Sequence, residues 1–484
     1  MTTVALSLVS HTNVGKTTLA RTLLARDVGE VRDAPHVTEF VDAHRLIETT
    51  AGDRLLLWDT PGFGDSVRLL RRMRQSGNPV GWFLAEVWDR WRDRGFWASQ
   101  QVLRHVQRDS DVVLYLVNAG EPDAGWLAPE MELLAWVGKP VLVLLNQLGA
   151  PREVDAEAAE LESWRERLAR WPLVREVLPL DAFARCWVHE QRLLGAVERV
   201  LEGDAAAAMA RLAGAWMAER EATFEAALAV LADGLAQAAL AREWLDEGGG
   251  FPERLRQIGA RLLDDAARDP AAQAHARLLE ALAAHTRAGT TRLLALHGLQ
   301  GQAEAQIIER VAALFDEHKR VPEGRAALLG GALSGALAGL KADLATGGLT
   351  LGGGLLAGGL LGALGAAGLA RGINVVRGTA RSSVTFGDDA ALPLAQAAIL
   401  RYLAVAHFGR GRGDWVQGEA PPHWPAAVAE ALAPEAAALG AAWRRRGEAD
   451  ASAATLAAAL APPLAAATRR VLAALYPAAH NRAA

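Results

Sequence analysis

Short apolar runs bounded by polar residues recur in the N-terminal part of the chain, and each has the length of a buried β-strand. The clearest are residues 4–9, 55–58, 111–118 and 140–146. Helical patterns lie between these runs. The alternation predicts an α/β fold over about residues 1–200, with a mostly parallel sheet flanked by helices.

Beyond about residue 200 the pattern becomes typical of helices, because Ala, Leu, Arg and Glu dominate and Pro is sparse. This composition predicts an all-α C-terminal domain over residues 201–484. Within that domain, residues 325–371 carry almost no charge. Glycine recurs there at every fourth position, at Gly331, Gly335, Gly339, Gly354, Gly358 and Gly362.

The glycine spacing of residues 325–371 predicts a glycine-zipper helical hairpin that turns near residues 341–348. Such spacing lines one helix face with bare backbone, which lets two helices approach closely. A bilayer span needs about 20 apolar residues, a length that the second arm reaches. We therefore expect the hairpin to contact membrane lipid. A soluble hairpin buried in the helical domain is the alternative.

The predicted strand at residues 4–9 leads directly into a loop that ends in Gly-Lys-Thr, and a helical pattern follows. This arrangement wraps phosphates with backbone N–H groups and a helix N-terminus. Lys16 is expected to neutralise the β- and γ-phosphates, and the Thr17 hydroxyl to reach Mg²⁺. A chance helix start is the alternative. The residues predicted to contact the nucleotide here are Ser10, which replaces the usual first glycine, His11, Thr12, Asn13, Val14, Gly15, Lys16, Thr17 and Thr18.

A second motif, Asp59-Thr60-Pro61-Gly62, follows the apolar run 55–58. An aspartate at the end of a strand beside the phosphate loop can hold Mg²⁺ through water. The Gly62 N–H can sense the γ-phosphate, so hydrolysis would release the loop after it. Between the two motifs, Thr38 is the predicted switch threonine that completes the Mg²⁺ shell. An ordinary turn threonine is the alternative.

The sequences Asn13–Thr17 and Asp59–Gly62 resemble those of the bacterial Era/TrmE-like, translation-factor-class P-loop GTPases. Later apolar runs extend the resemblance over about residues 1–200. The remainder of the chain, including residues 401–413, is similar to an uncharacterised C-terminal domain that is fused to such GTPases. The resemblance implies a switch protein that binds GTP with Mg²⁺ and hydrolyses it to GDP and phosphate.

The family's base-recognition motif, Asn-Lys-x-Asp, reads Asn-Gln-Leu-Gly at 146–149. By resemblance, Asn146 and Gln147 contact the nucleotide, as do Asp181 and Ala182, whose N–H would meet guanine O6. Gly149 has no side chain to accept hydrogen bonds from guanine, so discrimination against adenine is expected to be weaker. GTP is the expected nucleotide, and relaxed specificity that also admits ATP is the alternative.

Phe63 follows Gly62, where many small GTPases carry a glutamine that orients the attacking water. The chain thus resembles a subgroup with a hydrophobic residue there, in which an asparagine matching Asn13 helps to bind K⁺. The resemblance implies hydrolysis that is slow alone and faster with K⁺ and with a homodimer of GTPase domains. A plain loop-shaping role for Asn13 is the alternative.

Residues 65–110 exceed the single helix expected before the fourth strand and are predicted to form a helical insertion. Phe83, Val87 and Trp91 recur every four residues, as in an amphipathic helix. We expect the aromatic residues to pack the insertion onto the C-terminal domain, and transmission of the nucleotide state is compatible with this. The basic cluster 68–74 is interpreted as a solvated helix face, with RNA or lipid contact as the alternative.

Composition and charge narrow the classes of function. A chain that is 51% hydrophobic and 22% charged is not a disordered chain. Its formal net charge of −5 argues against a nucleic-acid coat protein, so DNA is not expected as a partner and RNA is disfavoured. A single cysteine, Cys186, excludes an intrachain disulfide framework and a cysteine zinc site. We expect a cytoplasmic protein that associates through residues 325–371 with the inner face of the cytoplasmic membrane.

Two alternatives to a GTP-hydrolysing switch stay open. A nucleotide-binding scaffold would bind the nucleotide with little turnover. An RNA- or ribosome-assembly GTPase would follow many relatives of the resembling family, although the acidic net charge disfavours it.

Overall fold

In the computed structural model of the protein, the described residues are 1–12, 14–24, 42–75, 81, 94–148, 154–180, 187–244, 270–299, 373–377, 382–407 and 423–476. They divide into two compact units. The first unit centres on Met1–Glu221, and the second begins at Ala222.

A six-stranded sheet forms the centre of the first unit, in the order β2-β3-β1-β4-β5-β6. Its strands are β1 (Thr3–Ser10), β2 (Asp42–Glu48), β3 (Arg54–Asp59), β4 (Val112–Asn118), β5 (Val141–Asn146) and β6 (Val174–Pro179). Strand β2 runs antiparallel to β3, and the other neighbouring pairs are parallel. The side chains of β1, β4 and β5 are nearly all buried, as expected of parallel strands covered on both faces.

Helices cover both faces of this sheet. They are α1 (Lys16–Leu24), α2 (Ser66–Met73), α3 (Arg94–Asp109), α4 (Leu127–Val137), α5 (Val154–Leu168), α6 (Trp187–Val200) and α7 (Gly203–Leu240). Alternate strand residues face opposite sides, so Leu6 and Leu114 join the core under α1, α6 and α7. Val113 and Tyr115 join the core under α2, α3, α4 and α5. The predicted mostly parallel α/β fold is confirmed.

Helix α7 begins just after the predicted domain boundary near residue 200, and it continues from the first compact unit into the second. Its first half packs in the core of the first unit through apolar residues that include Met209 and Trp216. Trp216 Nε1 donates to Glu190 Oε2 at 2.8 Å, and Arg211 Nε donates to Asp53 Oδ2 at 2.7 Å. The change in composition near residue 200 marks the start of helical sequence, whereas the compact unit extends to Glu221.

The second unit is predominantly helical, but it also contains a three-stranded sheet, so the prediction of an all-α domain is wrong in this respect. Its helices besides α7 are α8 (Pro270–Leu296), α9 (Ala391–Ala406), α10 (Trp424–Leu432), α11 (Ala436–Arg444) and α12 (Ala453–Leu475). The N-terminus of α12 is fixed by a capping box, in which Ser452 Oγ accepts from the Thr455 N–H at 3.2 Å. The unit also holds an antiparallel sheet in the order β7-β9-β8, made of β7 (Arg242–Trp244), β8 (Ile373–Arg377) and β9 (Ser382–Phe386).

The predicted insertion at 65–110 contains α2 and α3 at its two ends. The four arginines of the basic cluster 68–74 are exposed, as a solvated helix face requires. Phe83, Val87 and Trp91 lie outside the described residues, and so does the predicted hairpin at 325–371.

Candidate nucleotide-binding site

The phosphate loop connects the end of β1 at Ser10 to the start of α1 at Lys16. Gly15 has a φ of +95°, which L side chains rarely adopt, and a Cβ there would lie 2.8 Å from Asn146 Nδ2. The Leu19 N–H donates to the Gly15 carbonyl at 3.0 Å, so helical hydrogen bonding begins directly after the loop. The first N–H groups of α1 are therefore available to an anion.

The Lys16 ammonium is buried and donates to Ser10 Oγ at 2.9 Å. The Ser10 hydroxyl itself donates to the His11 carbonyl. Burial lowers the pKa of Lys16, and the carboxylates of Asp59 and Glu130 oppose this effect. Ser10, which replaces the first glycine of the usual motif, thus accepts a hydrogen bond from the cation that is expected to meet the phosphates.

Thr17 and Asp59 come together where α1 begins and β3 ends. Thr17 Oγ1 donates to Asp59 Oδ2 at 2.7 Å, and Asp59 is only 3% exposed. Both groups offer oxygen atoms, which are the ligands that Mg²⁺ prefers alongside water and phosphate. The part of the chain that the structure describes contains no cluster of three His, Cys, Asp or Glu side chains able to hold a metal on their own. The pair therefore fits a Mg²⁺ ion that is shared with a phosphate group.

The segment after β3 lies directly against the phosphate loop. A Cβ on Gly62 would come within 2.9 Å of Thr12 Cα, so the close approach requires glycine. The Phe63 N–H donates to the Ser10 carbonyl at 2.9 Å, and Phe63 forms a parallel bridge with His11. The Phe63 ring is completely buried in the core beneath α2 and α3. It thus serves packing and offers no group that could orient a water molecule.

Asn146 fastens the phosphate loop to the end of β5. It is completely buried, and its Nδ2 donates to the Val14 carbonyl at 2.8 Å. Gln147 follows with a φ of 57°, and among the described residues it alone has a positive φ without being glycine. The chain therefore turns sharply just where the base-recognition motif continues.

The other predicted base-binding segment follows β6. The Leu180 N–H donates to the Leu145 carbonyl at 3.0 Å, which holds the end of β6 beside β5. Several predicted site residues lie outside the described part of the chain. They are Asn13, Thr38, Asp181 and Ala182, and Gly149 of the altered base-recognition motif also lies outside it.

Family models match both parts of the chain. Residues 165–462, more than half of the chain, match the family described as Domain of unknown function (DUF3482). The chain belongs to this family. Residues 5–147 of this DUF3482 protein match a second family, described as 50S ribosome-binding GTPase. The predicted combination of an Era-like GTPase with a separate C-terminal domain is therefore confirmed.

Individual relatives resemble the N-terminal part. GTPase Era of Geotalea uraniireducens (strain Rf4) is 25% identical over 178 residues, which are 37% of this chain and 49% of Era. The DUF3482 protein thus spans about half the length of this curated relative. A structure of Aquifex aeolicus Era bound to GDP.AlF4- has 16% identity and a TM-score of 0.32, over 42% of this chain and 59% of Era. A probable GTP-binding protein engB has 15% identity and a TM-score of 0.24, over 40% of this chain and 97% of its own.

A buried carboxylate behind the phosphate loop of the DUF3482 protein was not predicted from the sequence. Glu130 of α4 is 0% exposed, and its Oε1 lies 2.7 Å from His11 Nδ1. Its Oε2 accepts a hydrogen bond from the Tyr115 hydroxyl at 2.6 Å. Burial raises the pKa of Glu130, and the hydrogen bonds from His11 and Tyr115 oppose that shift. Burial also raises the pKa of Tyr115 well above its usual value, so its hydroxyl keeps the proton that it donates.

The sequence does carry a signal for this carboxylate. Leu127, Met131 and Leu134 mark the apolar stripe of α4 with helical spacing, and Glu130 stands within that stripe. A charged residue on the buried face of a helix needs partners, because an unpaired buried charge is costly. What the sequence lacks is the identity of those partners, since His11 is 119 positions away.

Proposed function

We propose that the DUF3482 protein is a GTP-binding switch that hydrolyses GTP to GDP and phosphate through attack of water on the γ-phosphate. The observation that carries this proposal is the set of three polar groups at the phosphate loop. Lys16 is buried with its ammonium on Ser10, and Thr17 Oγ1 lies 2.7 Å from Asp59 Oδ2. Phosphoryl transfer is catalysed mainly by positioning and charge stabilisation, which these groups supply.

Each group has a separate task in the proposed reaction. Lys16 and Asn13 stabilise negative charge on the phosphates. Thr17 and Thr38 ligate Mg²⁺ directly, and Asp59 holds it through water. Mg²⁺, when bound, neutralises charge on the phosphate oxygens.

Gly62 would couple the nucleotide to the rest of the chain. It lies against Thr12 of the phosphate loop. A γ-phosphate bound by that loop would therefore lie close to the segment after β3. Two residues further on, a Cβ on Gly64 would come within 2.3 Å of Gly95 Cα, and the Gly64 N–H donates to Ser99 Oγ at 3.1 Å. A shift of this segment would therefore move α3, which belongs to the insertion at 65–110.

Slow turnover and K⁺ dependence belong to the same proposal. Phe63 is buried and has no hydrogen-bonding group, so it cannot orient the attacking water as a glutamine would. We propose that a bound K⁺ supplies the positive charge that stabilises the transition state instead. Asn13 is the proposed K⁺ ligand, and a homodimer of GTPase domains would complete its site. If turnover in KCl and in NaCl is equal at every protein concentration, the K⁺ and dimer parts are wrong.

A nucleotide-binding scaffold is the second candidate function. It is favoured by the buried Phe63 ring and by Gly149, which offers no carboxylate to the base. A scaffold would bind GTP, and with relaxed specificity also ATP, without turning it over at a useful rate.

Single-turnover hydrolysis separates the two candidates. The purified chain is mixed in excess with GTP or ATP, with Mg²⁺ present or chelated. A switch converts GTP to GDP faster than free GTP decays, and conversion is lost in Lys16→Ala. Lys139→Ala is the matched control, because Lys139 precedes β5 at the end opposite Asn146 and should retain full activity. Tight binding without conversion supports the scaffold instead.

A ribosomal or RNA-binding role is not part of the proposal. A solved Era structure is a complex with MgGDPNP and part of 16S ribosomal RNA, but this chain covers only 59% of that protein. The net charge of −5 also disfavours an RNA surface. Co-sedimentation with ribosomes in the presence of a GTP analogue would overturn this exclusion.

We also propose that residues 325–371 contact membrane lipid at the inner face of the cytoplasmic membrane. Among the described helices, α7 and the segment Asp388–Ala406 are long and apolar enough to cross a bilayer. Their apolar windows are 56% and 78% buried inside the protein, so we interpret them as core helices. The membrane proposal therefore depends on the glycine-rich residues alone. Equal flotation with liposomes of the full chain and of a chain that lacks residues 325–371 would remove it.

A further inference from the structure

Glu130 is held in a geometry that leaves it little freedom. It is completely buried, each carboxylate oxygen has one side-chain hydrogen bond, and the donors come from two different elements. Tyr115 is in the central strand β4, and His11 is in the phosphate loop. The bond from Tyr115 therefore attaches one oxygen of Glu130 to the sheet. The bond with His11 attaches the phosphate loop to the other oxygen.

His11 is the residue through which this carboxylate reaches the nucleotide site. Its ring stacks on Trp126, the N-cap residue of α4, with centroids 4.8 Å apart and an interplanar angle of 5°. Its carbonyl accepts a hydrogen bond from Ser10 and lies 3.5 Å from Lys16 Nζ. Its backbone also bridges Phe63 in the segment after β3. The position of His11 therefore sets where the Lys16 ammonium and the Gly62 segment meet the loop.

We propose that Glu130 is a positioning residue that acts through His11 to hold the phosphate loop in its nucleotide-binding shape. The inference rests on the proposed GTP binding and deepens it. Neither Glu130 nor the His11 ring needs to touch the nucleotide. They hold the loop in its binding shape before the nucleotide arrives. Binding is then stronger, because less conformational entropy is lost when the nucleotide binds.

The same carboxylate also acts on the phosphate site through its charge. Ser66 is the first residue of α2 and is buried, but its Oγ makes no hydrogen bond to any described residue. Electrostatic attraction also connects Glu130 to Lys16. The contacts of Glu130 therefore reach the phosphate loop, through His11 and the charge of Lys16.

The test uses the full chain with variants that separate the two hydrogen bonds. His11→Phe keeps a ring to stack on Trp126 but removes the Nδ1 donor. Glu130→Gln keeps the shape and removes the charge. Tyr115→Phe is the matched control, because it removes the other hydrogen bond of Glu130 and leaves the bond to His11. The dissociation constant of a fluorescent GTP analogue, the single-turnover rate and the melting temperature are measured for each.

We expect His11→Phe to weaken nucleotide binding about tenfold, in line with the loss of one hydrogen bond to a buried charged group. Glu130→Gln should weaken it in the same direction. The double variant should bind about as weakly as the weaker single variant, because both changes break one interaction. Tyr115→Phe should lower the melting temperature while its nucleotide affinity stays within about twofold of wild type.

Wild-type affinity in His11→Phe, or losses that simply add in the double variant, would overturn the positioning role. A larger loss of affinity in Tyr115→Phe than in His11→Phe would do the same, because the loop would then not depend on its bond from His11 to Glu130. If Glu130→Gln does not fold, His11→Phe decides, since the His11 side chain is 27% exposed and its loss is tolerated more easily. A wild-type chain that binds no nucleoside triphosphate overturns both this inference and the proposed function. Unchanged affinity in the variants of a chain that does bind overturns this inference only.

Discussion

Glu130 in the first unit and Arg401 in the second are both almost completely buried, yet their surroundings differ. Glu130 accepts hydrogen bonds from His11 and Tyr115 and lies within electrostatic reach of Lys16. Arg401 of α9 is 5% exposed, and one hydrogen bond to the Thr286 carbonyl, at 3.2 Å, is the contact that holds it. Burial lowers the pKa of Arg401 to about 10, and no charged group among the described residues opposes the shift.

The partners of the two buried charges indicate which of them contributes to a binding site. The hydrogen bonds of Glu130 end on the phosphate loop and on the sheet, so its burial has a geometric consequence for nucleotide binding. The Arg401 guanidinium occupies space left by small residues, for Gly289 and Gly234 would place a Cβ 3.6 Å and 4.0 Å from its Nη2. Burial alone therefore does not mark function, and the partners do.

Replacing each residue by methionine should sharpen this contrast most. Glu130→Met leaves the His11 and Tyr115 donors without an acceptor and should lower the free energy of unfolding by about 3 kcal/mol. Arg401→Met removes a buried charge that has no counter-charge in the described part of the chain, and should leave stability unchanged or raise it by about 1–3 kcal/mol. Hydrogen exchange of α4 and α9 measures the two effects separately, which matters because a chain with two units need not unfold in one step.

Equal destabilisation by the two methionine substitutions would remove the contrast. It would mean that Arg401 has a partner as important as those of Glu130. Thr286→Ala is a useful control, because the bond from Arg401 goes to the backbone carbonyl of Thr286 and should survive it.

A smaller contrast is expected between two glycines. Gly15→Ala forces alanine into a φ of +95° and brings its Cβ within 2.8 Å of Asn146, so it should cost about 2 kcal/mol and weaken nucleotide binding. Gly289→Ala is in the interior of α8 with ordinary contacts at 3.6–3.7 Å, so it should stabilise the helix by about 0.5–1 kcal/mol. Thermal unfolding of the two variants checks the opposite signs. Stabilisation by Gly15→Ala would mean that the phosphate loop has a different shape.

The smallest effect concerns pH. Because burial raises the pKa of Glu130 in the folded chain, its contribution to stability is present below its usual value of 4.5 and is lost as pH rises through the raised value. The stability of wild type relative to Glu130→Gln should therefore fall as pH rises above 4.5. Arg401 has a lowered pKa, so wild type should gain stability relative to Arg401→Met as pH rises through about 10. Denaturant titrations of each pair over its own pH range would show whether the slopes have opposite signs.

Local patterns were enough to predict the sheet and the phosphate site. The apolar runs became β1, β3, β4 and β5, because buried strands need apolar side chains on both faces. The spacing of Gly15, Lys16 and Thr17 after a strand determined the loop, because few other arrangements present N–H groups, a cation and a hydroxyl together. The placement of Asp59 beside Thr17 followed from parallel pairing of β1 and β3.

Features that depend on distant contacts were not predictable. Strand β7 is three residues long, and its pairing of Trp244 with Ser383 joins segments far apart in the sequence. Both halves of α7 are rich in alanine and continue one helix without a break, so nothing local marks Glu221 as the end of the first unit. The roles of Glu130 and His11 likewise arise only when α4 is placed beside the phosphate loop.

Calorimetric titration with GTP and Mg²⁺ tests the central claim most directly. The account predicts one nucleotide site per chain in wild type and in Lys139→Ala, with binding weakened at least about 100-fold in Lys16→Ala, which loses a charge-assisted contact to the phosphates. Equal dissociation constants for GTP in wild type and Lys16→Ala would contradict this prediction. So would a folded wild-type chain that gives no heat of binding with any nucleoside triphosphate.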